Sequence, residues 1–239
     1  MSNLLITMPC YNEEDGISSF ISELDESFKD IDYTILVLND CSTDDTLLAL
    51  TKRKRNLPNL RVLSNEVNLG HGPTTVKGMQ YGLDNNFSFI LTLDGDGQFI
   101  GSQVRTAYDH FISQDIHVLE GARKSRTDPK FRSVVTFLVR LIVFVKSKSF
   151  PMDGNTPFRI YKFAALSLLV PRIPVGTRVP NIHIAIFTRR LKLIVTEFPI
   201  TSIERRGSGG TGSTWGKFSS FLPNRRFIRF CLQSVREFI

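Results

Sequence analysis

The chain has 239 residues, 41% of them hydrophobic and 22% charged, with a formal net charge of +7. That composition excludes intrinsic disorder and fits one domain with a smaller appended region, while the positive balance calls for an anionic partner: nucleic acid, an acidic membrane surface or a phosphorylated substrate. Cys10, Cys41 and Cys231 are odd in number and lack metal-ligand spacing, which speaks against a disulfide scaffold or a zinc site and for a reducing compartment.

The first residues carry no basic leader, so residues 4–8 read as a first strand and not as a secretory signal. A helix is expected over 16–28 and a strand over 33–38. After the polar turn 39–43 comes a helix from Asp44 to about Lys54, whose exposed N-terminus Asp45 and its neighbours can serve. Residues 60–64 read as a third strand, 74–83 as a helix behind the glycine-bearing loop 68–73, and 89–93 as a buried strand. Such alternation requires crossover connections and predicts a mostly parallel sheet with helices on both faces.

Beyond Gly101 the pattern loosens. It predicts a helix near 103–113, a strand near 117–121, a loop over 151–159, a short helix over 160–169 and a strand over 191–198. The run 207–212 holds four glycines and is expected to stay mobile until something orders it. The longest apolar stretch, 134–145, is broken by Arg140 and falls short of the roughly 20 residues that cross a bilayer.

In open parallel sheets ligands bind beyond the carboxyl ends of the strands. That rule selects the loops 9–14, 39–44 and 94–98, each polar and acidic where it leaves an apolar strand. Asp94 and Asp96, separated by one glycine at a strand end, can reach one hard cation, Mg²⁺ or Mn²⁺, which would neutralise a departing diphosphate. Gln98 can add an oxygen or orient a bound water. The same Asp-Gly-Asp-Gly run also fits a tight surface turn; the apolar strand before it and the two acidic strand ends beside it favour the metal reading.

MPCYNEED at 8–15, LNDCSTDDT at 38–46, NLGHGPTTVKG at 68–78 and LDGDGQF at 93–99 resemble, in order and spacing, the nucleotide-sugar half of the family 2 inverting glycosyltransferases. The resemblance covers residues 1–125 well and implies a Rossmann-like α/β fold of the GT-A type. It also implies that Pro9, Tyr11 and Glu13 line a nucleotide pocket, that Asp40 contacts base or ribose, and that Asp94, Asp96 and Gln98 hold the metal. Asn39 departs from the aspartate often found there. Later segments look closest to the polyprenyl-phosphate sugar transferases: Gly121-Ala122-Arg123 is similar to their Gly-Ser-Arg. Residues 153–159 are similar to their Asp-x-x-Ser/Thr-Gly-Phe-Arg, with Pro157 in place of glycine, and residues 204–208 to their Arg/Gly/Ser loop.

The implied reaction moves one sugar from a nucleotide-diphosphate donor, GDP-mannose or a UDP-hexose, to a polyprenyl phosphate. A lipid phosphate is already ionised and needs cations to hold it, not a base to activate it; Arg123, Arg206, Arg132 and Arg126 are the candidates, with Asp96, Arg123 and Arg206 as the catalytic set. A saccharide hydroxyl acceptor would need a base, for which Asp153 is the candidate. A nucleotide- or RNA-binding protein is the third reading, but nucleic-acid signatures are missing and nucleic acid is not expected as a partner.

Residues 133–147 present a wide apolar surface, with Arg140, Lys146 and Lys148 able to snorkel, and the tail 227–239 repeats the mixture. Both can lie on a membrane surface or serve as ordinary packing helices. The expected organisation is a catalytic domain over 1–221, split into a donor half (1–125) and an acceptor half (126–221, with an amphipathic helix over 133–149), followed by a C-terminal helix over 222–239. Such a chain is expected at the cytoplasmic face of a membrane, with a membrane-anchoring partner subunit as a further expectation.

Overall fold

The computed structural model describes residues 4–124, 130–207 and 225–238. Among these residues seven strands are joined by helices in the order β1 (Leu4–Cys10), α1 (Ile17–Phe28), β2 (Tyr33–Asn39), α2 (Thr46–Asn56), β3 (Leu60–Ser64), α3 (His71–Asp84), β4 (Phe89–Thr92) and α4 (Gly101–Ser113). There follow β5 (Val118–Lys124), α5 (Lys130–Ser147), β6 (Arg159–Lys162), α6 (Phe163–Leu169), a 3₁₀ turn (Val170–Arg172), α7 (Pro180–Arg190), β7 (Val195–Thr201) and α8 (Arg225–Arg236).

The strands form one sheet in the order β3-β2-β1-β4-β6-β5-β7. All pairings are parallel except those of β6, which runs antiparallel to both β4 and β5. From β1 the chain winds outward to β2 and β3, then returns to place β4 on the other side of β1. The ends of β1 and β4 therefore flank the switch point where connections diverge, the place where sheets of this kind bind ligands.

Each face of the sheet is covered by amphipathic helices. In α1 the buried residues Ile17, Phe20, Ile21, Leu24 and Phe28 fall on one stripe. They join the core under α4, where Phe111 and Tyr108 pack edge-on against Phe89. Each fully buried Phe there contributes about 1.5–3 kcal/mol. On the opposite face Met79 of α3, Leu166 of α6 and Ile184 of α7 close a second core, and α5 packs on α7 through Val143, Val139 and Ile142.

The predicted elements 60–64 and 103–113 recur closely, while others shift. The helix predicted over 74–83 begins at His71, since Pro73 in a first helical turn forfeits no hydrogen bond. In α2 it is Asp44, not Asp45, whose carboxylate accepts the Thr46 N–H at 3.0 Å.

Three corrections fall in the second half. The helix predicted over 160–169 is two elements, because residues 159–162 are captured as a strand between β4 and β5; a four-residue run has too few positions to reveal its period. The strand predicted over 191–198 begins at Val195 and runs to Thr201, because Leu191 caps α7 and Lys192, at φ +54°, turns the chain. The helix α7 was not anticipated; Pro180 opens it at a position where the missing N–H costs nothing. Of the glycine run 207–212, only Gly207 lies within the described residues.

Candidate active site

The turn after β4 is stitched to the end of β1. Leu93 N–H donates to the Thr7 carbonyl at 3.2 Å and Gly95 N–H to the Pro9 carbonyl at 3.2 Å. A side chain at Gly95 would put its Cβ 2.7 Å from the Pro9 oxygen, so only glycine allows this approach. Gly97 takes φ +69°, which turns the chain back so that Gln98 N–H donates to Asp96 Oδ1 at 3.1 Å. The expected turn and the expected pair of carboxylates are thus the same structure.

Asp94 Oδ1 lies 2.7 Å from His71 Nε2, at the first residue of α3. Burial raises the Asp94 carboxyl, but the His71 charge and hydrogen bond outweigh it, with help from Arg123 and Arg205, and hold it below the usual range. Asp96 has no such partner; burial and then the Asp94 charge push it up to about 7. An acidic pair short of countercharge is a donor set that suits a hard divalent cation. Among the described residues no group of three or more His, Cys, Asp or Glu is arranged as a metal cage, so a cation here would take its remaining ligands from phosphate oxygens and water.

Of the expected nucleotide-pocket residues, Pro9 and Tyr11 are partly exposed at this edge, while Glu13 is buried. Burial pushes Glu13 up to about 7, partly offset by Arg205, whose Nε donates to it at 3.0 Å and whose Nη2 makes a second contact. Glu13 N–H donates to Thr46 Oγ1 at 2.8 Å, tying the loop after β1 to α2.

Asp40 reaches the same edge with its carboxylate directed inward. Its oxygens accept from Leu69 N–H at 2.9 Å, Gly70 N–H at 2.8 Å and Asn65 Nδ2 at 2.8 Å. It therefore braces the 65–70 loop that presents His71. Asn39 is also spent internally, on Ser64 Oγ and Ser42 N–H. The amide of Gln98 donates to the Ile203 carbonyl at 3.1 Å.

The candidate arginines separate. Arg123, on β5, pairs with Asp153 at 2.7 Å, and its charge is felt at Asp94. Arg126 lies outside the described residues, as does the side chain of Arg132. Arg206 turns away from the carboxylates: its guanidinium meets Glu23, the Gly97 carbonyl at 2.9 Å and the Phe99 carbonyl at 3.3 Å, and lies over the Phe20 ring. Its neighbour Arg205, not singled out from the sequence, is the one whose charge reaches Asp94, Asp96 and Glu13. His71 stands inside the Asn-Leu-Gly-His-Gly-Pro stretch, where nothing in the sequence marks it as a site residue. Only its contact with Asp94 singles it out.

Behind the site sits a buried ionic network. Arg159, fully buried, donates to Glu120 at 3.1 Å, Asn181 Oδ1 at 3.0 Å and the Thr156 carbonyl at 2.6 Å. Arg189 takes the other Glu120 oxygen at 2.7 Å. The network fixes the loop that carries Asp153, and through it Arg123.

This architecture is shared with solved glycosyltransferase structures. Glucosyl-3-phosphoglycerate synthase from Mycobacterium tuberculosis, crystallised with Mn²⁺, UDP-glucose and phosphoglyceric acid, superposes with a TM-score of 0.69 over 98% of this chain and 77% of that one, at 17% identity. The fold is GT-A. Residues 5–168 match the model of Glycosyl transferase family 2, and the chain belongs to that family of glycosyltransferases. It is 22% identical over 226 residues to a dolichyl-phosphate β-glucosyltransferase of Trichomonas vaginalis, covering 86% of this chain and 67% of that protein. To an undecaprenyl-phosphate mannosyltransferase of Micrococcus luteus it is 23% identical over 208 residues, 84% of each chain.

Proposed function

We propose that this glycosyltransferase moves one sugar from a nucleotide-diphosphate donor, with GDP-mannose and UDP-hexoses as candidates, to a polyprenyl phosphate at a membrane surface. The observation that carries the reading is the grouping at one sheet edge of the Asp94–Asp96 pair with Arg123 and Arg205, whose charges both act on Asp94. In it Asp94 and Asp96 hold a Mg²⁺ or Mn²⁺ ion, and that ion would supply charge neutralisation to the leaving diphosphate. Arg123 and Arg205 add fixed positive charge beside it, which favours a phosphate nucleophile approaching the anomeric carbon. A phosphate oxygen is ionised without help, so no side chain has to remove a proton. The candidate base for a hydroxyl acceptor, Asp153, is engaged by Arg123 at 2.7 Å. Relatives named for dolichyl and undecaprenyl phosphate, matched over most of the chain, support this acceptor class.

The membrane surface enters through α5. Phe137 (58% exposed), Leu138, Leu141 and Val145 face away from α7. Phe150 and Met152 beyond its end are exposed too, and Arg140 lies 5.8 Å from the centre of the Phe150 ring. No described helix is long and apolar enough to cross a membrane, so contact through this face would be peripheral.

The test is thermal stabilisation by a panel of nucleotide sugars, with and without Mn²⁺, in the wild type and in Asp96→Ala. At a ligand concentration of about 100 Kd, binding adds about 2.7 kcal/mol. One donor stabilising the wild type only, and only with metal, is expected. Sugar transfer from that donor into an organic-soluble product then identifies the lipid acceptor, whereas a water-soluble product points to a saccharide hydroxyl. Stabilisation that ignores both the metal and the substitution removes the basis for the assignment.

A further inference from the structure

The two adjacent arginines that end the described strap beyond β7 have opposite surroundings. Arg205 faces Glu13 and the carboxylates, whereas Arg206 is built into the back of the Asp94–Gly97 turn. Arg206 N–H donates to the Asp96 carbonyl at 3.2 Å, Nε to the Gly97 carbonyl at 2.9 Å and Nη2 to the Phe99 carbonyl at 3.3 Å. Three carbonyls of the turn region, at 96, 97 and 99, are thus gripped by one residue. The guanidinium is anchored from the far side by the Glu23 carboxylate and lies 5.4 Å from the centre of the Phe20 ring. The fit is close on every side: a Cβ on Gly97 would come within 2.7 Å of Arg206 Cδ, and one on Gly16 within 2.6 Å of its carbonyl oxygen. A second stitch runs alongside, where Ile203 N–H donates to the Gln98 carbonyl at 2.9 Å and Gln98 Nε2 to the Ile203 carbonyl at 3.1 Å.

From this geometry we infer that Arg206 is a positioning residue for the Asp94–Asp96 turn, braced by Glu23, and not a ligand of the acceptor phosphate. Carbonyls at 96, 97 and 99 fix the path of the turn, and the path of the turn fixes where the two carboxylates point. An arginine suits the task because its planar fork can satisfy two carbonyls and a carboxylate at once; a lysine ammonium offers a point charge without that geometry. The inference deepens the proposed donor site and rests on the reading that Asp94 and Asp96 hold the cation.

The experiment compares Arg206→Met, Arg206→Lys, Glu23→Gln and Glu23→Gln/Arg206→Met, with Mn²⁺ binding followed by electron paramagnetic resonance in the presence of UDP or GDP. Apparent KM is measured for a short-chain polyprenyl phosphate, and Tm is recorded for each variant. Positioning predicts that Arg206→Met and Glu23→Gln each weaken Mn²⁺ binding about tenfold, that the double variant is no weaker than Arg206→Met alone, and that the acceptor KM stays within twofold. Arg206→Lys is expected to recover little, lacking the fork. An acceptor KM raised tenfold by Arg206→Met, with Mn²⁺ binding unchanged and Glu23→Gln silent, overturns the inference. So does a lowered Tm with Mn²⁺ affinity intact, which is the signature of a merely stabilising contact. If the wild type itself binds no Mn²⁺ with either nucleotide, the donor-site reading fails first, and that outcome is distinct from both. Glu23→Gln keeps the test informative if Arg206→Met does not fold.

Discussion

Replacing Arg159 with methionine tests how the core supports the site. The guanidinium is wholly buried, bonded to Glu120, Asn181 and the carbonyls of Thr156, Gly154 and Asn181. Methionine fills much of the volume and supplies no donor. Breaking a buried pair by removing one partner costs about 3–5 kcal/mol, because the other charge is stranded. Arg189 remains on Glu120 at 2.7 Å, which places the charge part of the cost toward the low end, while the carbonyls left without donors add about 1 kcal/mol or more. A total of about 4 kcal/mol, at 2–4 °C per kcal/mol for a chain of this size, lowers Tm by roughly 8–16 °C. Urea unfolding followed by circular dichroism measures the loss of stability directly, and Glu120→Gln/Arg159→Met should lose less than the sum of the two single changes, since the Glu120 charge and the guanidinium that balances it are removed together. pH gives an independent check. Burial raises the Glu120 carboxyl, but Arg159 and Arg189 outweigh it and hold it below the usual range. Its stabilising share is therefore present above the unfolded value and lost as pH falls. The deficit of Arg159→Met should shrink as pH falls and Glu120 takes up a proton, because a neutral carboxyl needs no charged partner. A loss under about 1 kcal/mol, or a deficit indifferent to pH, refutes the account of the network.

Glu13 carries the opposite sign: its folded value, raised to about 7, lies above the unfolded one, so stability is lost as pH rises from about 4.5 to 7. Glu13→Gln should remove that slope, with a gain of up to about 3 kcal/mol at pH 8 less the Arg205 contact; parallel Tm curves for the two proteins would contradict the raised value. On α5, Phe137→Ser and Leu141→Ser remove exposed apolar surface. Together they should reduce co-sedimentation with anionic lipid vesicles severalfold while shifting Tm by less than about 2 °C, and unchanged sedimentation would withdraw this face from the membrane reading.

The donor half was legible because its signals are local. Apolar runs ending at 8–10, 38–39 and 92–93 are strands of a parallel sheet, and the polarity change at each end marks where side chains leave the core. The loops that carry Glu13, Asp94 and Asp96 could be located from that, since a strand end has only one edge to occupy, while Glu13 itself was singled out by the family resemblance. The second half was less legible. Residues 159–162 carry too few positions to show a period, and they become a strand only because β4 and β5 offer an antiparallel slot. α7 is buried along most of its length and has little amphipathic contrast to announce it.

Sequence by itself determined the α/β class, the order of the first eight elements and which loops meet at the sheet edge, because each follows from hydrophobic period and turn chemistry within a short window. Tertiary structure alone decided that His71 lies on Asp94, that Asp40 turns inward to hold the 65–70 loop, and that Arg205 and Arg206 face opposite ways. The physical reason is that a side chain's partner is set by what the fold brings within about 3 Å of it. For Arg205 and Arg206 those partners lie 183 to 192 residues away in the chain, at Glu23 and Glu13.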